Sequence, residues 1–240
     1  MKVRATTVAY ILSAGAGLRL GGLCKGLIQI DGVPLIARQL SVMISAGIDH
    51  IVVVTGYQSV LISEIVADQM SNFQNGLHKA ISVECLQTNG SDIQVSVASA
   101  IRHSHSLFIQ RPDFTGAMIS LVDLPLITVR DIVKITGTAL QSRVDAVIPT
   151  SESGQPGHPI WLSRKFLLDI DLLTEKFSLK NALLRGESGS ALKIKRLVTD
   201  VPGYFRDLDT IEDAVRYATD YGLFVFVPCN ESAFGANISE

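Results

Sequence analysis

The sequence predicts an α/β protein built on a doubly wound, mostly parallel sheet with helices on both faces. Three observations carry this. Short apolar runs rich in β-branched residues alternate with stretches whose apolar residues recur at helical spacing. The first such run, residues 7–12, empties directly into a loop holding Gly15, Gly17, Gly21 and Gly22. Later runs end at Gly56, at the polar segment 87–96 and at Asp123, which the rule for open parallel sheets gathers along one rim at the carboxyl ends of the strands.

In order, the elements are as follows. Residues 7–12 form the first strand. Asp31-Gly32 makes a turn, and Pro34 opens a helix at its first position, with Ile36, Leu40, Met43 and Ile44 on one face and Gly47 at its end. Residues 51–55 read as a strand buried on both faces. After Gly56, residues 61, 62, 65 and 66 mark a second helix. Residues 81–86 are the third strand, and a helix is expected from about 93 to 102. Residues 116–122 form a strand ending at Asp123, and Thr128 caps a helix with Ile132, Ile135 and Leu140 on its inner side. A short strand follows at 146–149.

The second half is less regular. Residues 150–157 are a loop by composition, and 158–162 look extended. Two short helices are expected near 164–173 and 178–185, and strands at 193–198 and 204–208. Thr210 and Asp213 have the spacing of a capping box, opening a helix towards Tyr221. Residues 1–222 thus read as a single domain. Residues 223–240 are a C-terminal tail whose apolar stretch 223–227 is either an edge strand or a subunit contact.

Composition narrows the classes. Hydrophobic residues make up 47% of 240 and mean hydropathy is +0.32, ample for a core and unlike a disordered chain. A net charge of −2 gives no reason to expect nucleic-acid binding. No apolar run spans a membrane, and six apolar residues before the glycine loop are too few for a signal peptide. Cys24, Cys85 and Cys229 fit neither a disulfide framework nor a zinc site, so a cytoplasmic location is the default. Cys24 lies beside Lys25, which could lower its pKa.

The glycine loop carries the functional argument. Residues without Cβ let backbone N–H groups approach an anion closely, and Arg19 and Lys25 add positive charge. It reads as a phosphate cradle. It is not a dinucleotide fingerprint, because Leu20 stands where the third glycine belongs. Nor is it a P-loop, because Cys24 precedes Lys25 and Gly26 follows it.

The stretch Leu12-Ser-Ala-Gly-Ala-Gly-Leu-Arg-Leu-Gly-Gly-Leu-Cys-Lys25 resembles the signature of the nucleotidyltransferases of molybdenum cofactor synthesis, with Ser13 and Leu20 as mild departures. The continuation through Gly32, Pro34 and Leu35 is similar to the same family. So are Asp123-Leu-Pro-Leu126, Asp207-Leu-Asp-Thr-Ile-Glu-Asp213 and Gly154-Gln-Pro-Gly-His-Pro159. The resemblance implies the Rossmann-like fold of nucleotide-diphospho-sugar transferases. It also implies transfer of a nucleoside monophosphate from a triphosphate to a phosphorylated small-molecule acceptor such as a molybdopterin cofactor, with pyrophosphate released. A homo-oligomer or a molybdoenzyme partner would be compatible with it.

By the same resemblance Arg19 and Lys25 are catalytic. Leu12, Ala14, Gly15, Ala16, Gly17 and Gly56 hold the nucleotide, and Asn89 and Ser96, near Ser91, read its base. Asp123 holds Mg²⁺ together with Asp207, or with Asp209 as second choice, and His158 meets the acceptor. Asp123 stands where a strand should end, and a carboxylate there suits a hard cation. Asp207 and Asp209, two apart, would share a face if the segment were a strand. Asn89, Ser91 and Ser96 could equally serve as local caps. His103 and His105 lack metal-ligand spacing and read as surface residues near a helix end.

The base divides two branches. Gly21-Gly22 with Lys25-Gly-Leu27 is similar to guanylyltransferases, whereas Gly157-His-Pro159 and Gly186-Glu-Ser-Gly189 are similar to cytidylyltransferases, which favours CTP over GTP. A sugar-phosphate nucleotidyltransferase and a non-catalytic nucleotide-binding protein are the other readings. An NAD-dependent oxidoreductase is disfavoured by Leu20.

Overall fold

The computed structural model describes residues 6–74, 80–90, 92–170, 178–183 and 192–228. Seven strands form one sheet: β1 (Thr6–Ser13), β4 (His50–Thr55), β5 (Ser82–Gln87), β6 (Phe114–Leu121), β7 (Ala146–Thr150), β8 (Ile160–Ser163) and β9 (Ile194–Val198). Their order is β5-β4-β1-β6-β8-β7-β9. All neighbours are parallel except β8, which runs antiparallel to both β6 and β7.

The helices are α1 (Leu35–Ser45), α2 (Ser59–Gln74), α3 (Ile93–Gln110), α4 (Val129–Ser142), α5 (Arg164–Asp169), α6 over the described residues 179–183, and α7 (Ile211–Tyr221). A hairpin of β2 (Gln29–Ile30) and β3 (Val33–Pro34) completes the set, together with β10 (Val225–Phe226), which pairs antiparallel with β2. The hairpin turns through Asp31 and Gly32, both at positive φ (52° and 77°), the conformation a two-residue turn needs to match strand twist.

Side chains alternating across the strands build two cores, one per sheet face. Ala9, Ile11, Ile51 and Val53 face α1, α2 and α4. Val8, Tyr10, Leu12, Val52 and Val54 face α3 and α5. Both faces are buried, as the β-branched runs predict. Register brings the strand ends together: Ser13 stands opposite Thr55, Thr55 opposite Gln87, and Leu12 opposite Leu121. The rim of the site is therefore set by hydrogen-bonded register.

Several expectations are corrected. Pro34 caps α1 instead of entering it, with φ −56° and ψ 142°, and the helix starts at Leu35. Helix α3 runs on to Gln110, because Ile101, Ser104 and Phe108 continue its buried row through a stretch that reads as polar. Leu140 is 49% exposed, since the inner row of α4 is Ile132, Ile135 and Ala139. Residues 204–208 are not a strand. They follow a 3-10 turn, Pro202–Tyr204, and bury Tyr204 and Leu208. His103 is not a free surface residue: its Nδ1 shares a hydrogen bond with the hydroxyl of buried Tyr10 at 2.9 Å. The segment Gly186-Glu-Ser-Gly189, Ser91 and Cys229 lie outside the described residues.

Candidate active site

The loop after β1 is shaped by contacts that exclude side chains. Gly17 adopts φ 54°, and its carbonyl accepts hydrogen bonds from Leu20 N at 2.8 Å and Gly22 N at 3.1 Å. A Cβ there would lie 1.9 Å from Leu23 O. Cys24 is fully buried beneath the loop. Its backbone N–H donates to Gln58 Oε1 at 2.9 Å and its thiol to Ser13 O at 3.3 Å. Burial pushes the thiol's pKa up, outweighing the lowering by hydrogen bonds with the Gly26 backbone and Ser13, contrary to the lowering expected beside Lys25. Cys24 is thus an anchor and not a reactive thiol. Gly26 fits tightly against Ser13 and Ile62, where a Cβ would lie 2.5 Å from Ser13 Oγ.

These anchors fix the backbone on either side of Lys25 and aim its side chain inward. Lys25 Nζ donates to Asp123 Oδ2 at 2.5 Å and also to Asp209 Oδ1. Arg19 Nη1 lies 3.6 Å from Asp209 Oδ2, with its side chain 76% exposed. The cradle therefore carries one half-buried and one open cation. Burial alone would lower the pKa of Lys25; the charges and hydrogen bonds of Asp123 and Asp209 outweigh it and hold the ammonium above its ordinary value. Burial pushes the Asp123 carboxyl up while Lys25 opposes that shift.

Asp123 is 7% exposed and follows β6. Its backbone carbonyl accepts from Leu208 N at 2.9 Å, which ties the 200s segment across the end of the strand. Its Oδ1 is buried and has no hydrogen-bond partner. The next carbonyl, Leu124 O, accepts from Gln39 Nε2 at 2.9 Å. Gln39 sits on the buried side of α1 at 1% exposure, and sequence reasoning missed it. Its signal was a polar residue inside the apolar row that begins at Ile36. Gln58 was missed too; a non-glycine residue at φ 54° gives no mark in sequence.

Of the paired acids, Asp209 is the one that meets Lys25. Asp207 is exposed and lines a neighbouring cleft of about 270 Å³ with Phe205, Arg206, Asp213, Arg216, Tyr217 and Tyr221. The segment forms no strand, and of the two carboxylates only that of Asp209 is hydrogen-bonded to Lys25. Burial, then the charges of Asp209 and Asp123, raise the pKa of Asp207.

The remaining candidates distribute along the rim. Gly15, Ala16 and Gly17 are half-buried in the loop, with Leu12 and Ala14 buried beneath it. Leu12 O accepts from Val122 N and Ala14 O from Tyr57 N, joining β1 to both neighbouring strand ends. A Cβ on Gly56 would lie 3.0 Å from Ala14 Cβ, so glycine lets the end of β4 close on the loop.

Asn89 is exposed beyond β5. Ser96 is 2% exposed and donates to Asp92 O at 3.2 Å, and the N-cap of α3 is Asp92. Ser96 therefore closes the first turn of the helix. His158 is half-buried at a cis His158–Pro159 bond, with its N–H bonded to Tyr204 O at 2.9 Å. Desolvation lowers its pKa to about 4, so it is neutral near pH 7.

Among the described residues no group of three His, Cys, Asp or Glu is arranged as a ready metal cage. The arrangement is instead two carboxylates, two cations and a glycine loop at the end of a parallel sheet.

The model of the MobA-like NTP transferase domain matches residues 9–190. The chain belongs to this family. It is a nucleotidyltransferase, and the sheet just described is the family's Rossmann-like fold. Solved structures share that fold at low identity. 4-Diphosphocytidyl-2C-methyl-D-erythritol synthase from Anaerococcus prevotii is 14% identical, with 90% of this chain and 98% of that one covered, at a TM-score of 0.64. Molybdopterin-guanine dinucleotide biosynthesis protein A from Archaeoglobus fulgidus is 16% identical, with coverage of 90% and 99% and a TM-score of 0.58. Rv0371c from Mycobacterium tuberculosis H37Rv, in complex with manganese, is 20% identical, with coverage of 88% and 97% and a TM-score of 0.55. No curated protein matches the chain. No helix among the described residues is long and apolar enough to cross a membrane.

Proposed function

We propose that this MobA-like NTP transferase moves a nucleoside monophosphate, CMP in preference to GMP, from its triphosphate to a phosphorylated acceptor of the molybdopterin type and releases pyrophosphate. Residues 1–222 would act as one catalytic domain. The observation that carries the reading is the convergence of Lys25, Asp123 and Asp209 beside the glycine loop, with Asp123 Oδ1 buried and unpartnered. A buried carboxylate oxygen without a donor fits a hard divalent cation such as Mg²⁺. Asp123 and Asp209 would hold that cation, which supplies charge neutralisation at the α-phosphate. Asp209 is preferred to Asp207 because it meets Lys25.

The chain's own groups do the rest. Backbone N–H groups of Gly15, Ala16 and Gly17 would receive phosphate oxygens, and Arg19 would grip the β- and γ-phosphates from the open side. Lys25 would stabilise charge gathering on the departing pyrophosphate. An acceptor phosphate is already an anionic nucleophile, so no general base is required, and catalysis rests on positioning and electrostatics. Asn89 is the base-reading candidate that stays open to a ligand. His158, neutral at working pH, would offer the acceptor a hydrogen bond without adding charge. The family resemblance of Gly157-His158-Pro159, not any measured contact, favours CTP.

Thermal unfolding with CTP, GTP, ATP and UTP, each with and without Mg²⁺, tests the reading. A Mg²⁺-dependent rise of roughly 5–10 °C with CTP alone is expected at 100 times the dissociation constant. A rise with GTP alone would move the assignment to guanylyl transfer. No rise with any triphosphate, together with no pyrophosphate release on adding molybdopterin, would reject it.

A further inference from the structure

We propose that Lys25 holds the place of the divalent cation in the metal-free protein, so that a cation takes the Asp123–Asp209 pair only as the Lys25 ammonium leaves it. The inference rests on the reading of those two aspartates as the metal site.

Two carboxylates sharing a partly buried pocket repel, and neither stays charged at low cost without a cation between them. Lys25 Nζ contacts one oxygen of each. Asp123 and the Lys25 side chain are largely shielded from water, at 7% and 21% exposure, and Asp209 is more open at 32%, so solvent screens the pair only from the Asp209 side. An ammonium and a divalent cation held by the same two carboxylates repel at close range, so even with Asp123 Oδ1 free the pair does not hold both at low cost.

The geometry also says which part moves. The backbone beside Lys25 is clamped: Cys24 N is bonded to Gln58, Leu27 N donates to Cys24 O at 2.9 Å, and Gly26 has no spare room against Ser13 and Ile62. The side chain is a flexible stem ending in a point charge with three rotatable donors, able to exchange one set of oxygens for another. Arg19, by contrast, touches only the outer oxygen of Asp209 from solvent. A polyphosphate seated in the glycine loop would give the departing ammonium new oxygens. Metal entry and triphosphate binding would then be linked through Lys25, and metal alone would bind poorly.

The test is Mn²⁺ affinity, measured by electron paramagnetic resonance without nucleotide, for wild type, Lys25→Met and Arg19→Met. Lys25→Met is expected to bind Mn²⁺ tighter by ~10-fold or more, within the range of ordinary site–site coupling. Arg19→Met should change affinity far less. Unchanged or weaker binding in Lys25→Met would overturn the proposal. So would equal tightening in Arg19→Met, because net charge rather than occupancy would then be the cause.

Should Lys25→Met fail to fold, amine acylation of Lys25 in the wild type, followed by mass spectrometry, decides. Labelling should rise when Mn²⁺ saturates the protein, and constant labelling at saturation overturns the proposal. If Mn²⁺ binds no variant even with inorganic triphosphate present, the metal reading itself fails and the proposal falls with it. Weak binding in wild type that triphosphate restores would leave that reading intact.

Discussion

At the scale of single residues, charge placement makes the sharpest predictions. Lys25→Ala should lower turnover by at least ~100-fold, the scale of losing one preorganised stabilising donor. Single-turnover pyrophosphate release measures it, and near wild-type turnover would reject the role. Asp209→Asn should cost more activity than Asp207→Asn, because only Asp209 meets Lys25; the reverse order would return the second-ligand role to Asp207. His158 gives a pH signature. Its folded pKa is lowered to about 4, below the unfolded value near 6.5, so the unfolded chain binds the extra proton first. Its contribution is fully present above about pH 6.5 and is lost as pH falls towards 4, by up to about 3 kcal/mol. Melting temperature measured across that window should drop less in His158→Gln than in wild type.

Residue identity was largely legible at this scale, whereas direction was not. Lys25, Arg19 and Asp123 stand out in the sequence by their spacing from glycines and a strand end. The choice between Asp207 and Asp209 depends on which carboxylate meets Lys25, 184 residues away in the chain, and local spacing does not give that. Gln39 reveals its purpose only when Leu124 O arrives from 85 residues away.

At the scale of elements, the loop after β1 should tolerate change unevenly. Gly17→Ala forces a side chain into a left-handed backbone and against Leu23 O, and should destabilise by about 2 kcal/mol or more. Gly15 has open space around it and no positive φ, so Gly15→Ala should alter stability little. Chemical denaturation of the two variants compares them, and equal losses would mean the loop is not held as described. Sequence showed the capping box of Thr210 with Asp213 and the cap at Thr128, because such spacing is local chemistry; that Asp131 closes the latter into a second box is seen only in the structure. It showed the ends of α3 and the inner row of α4 less well. Those depend on which face the sheet covers, and a polar Ser104 can be buried where its hydroxyl bonds to Ile101 O.

At the scale of the whole molecule, residues 223–227 return to the hairpin that follows the glycine loop. Strand β10 pairs with β2, Phe224 N donates to Asp31 Oδ1, and Leu223, Val225 and Val227 pack on the core. The hairpin so covered begins two residues after Leu27, at the foot of the Lys25 turn. Truncation after Gly222 should therefore lower the melting temperature and weaken triphosphate binding together; a truncated chain with both unchanged would show the tail to be dispensable. The alternation of strands and helices, which fixes the fold class, was readable from periodicity. The reversal of β8 was not, because a short apolar run looks the same in either direction.

That reversal has a consequence for how the protein could diversify. A parallel strand offers the site the segment that leaves it, whereas β8 offers the segment that enters it. Ile160 lies beside Ile119 near the end of β6 that leads to Asp123, and His158 immediately precedes it. The 151–159 loop joins β7 to β8, and its far end is held by Gly157 N donating to Pro149 O and His158 N to Tyr204 O. Its exposed tip, residues 152–156, is the part whose composition can drift while the triphosphate half keeps its geometry. The molecule is in this respect a fixed socket with an interchangeable lip.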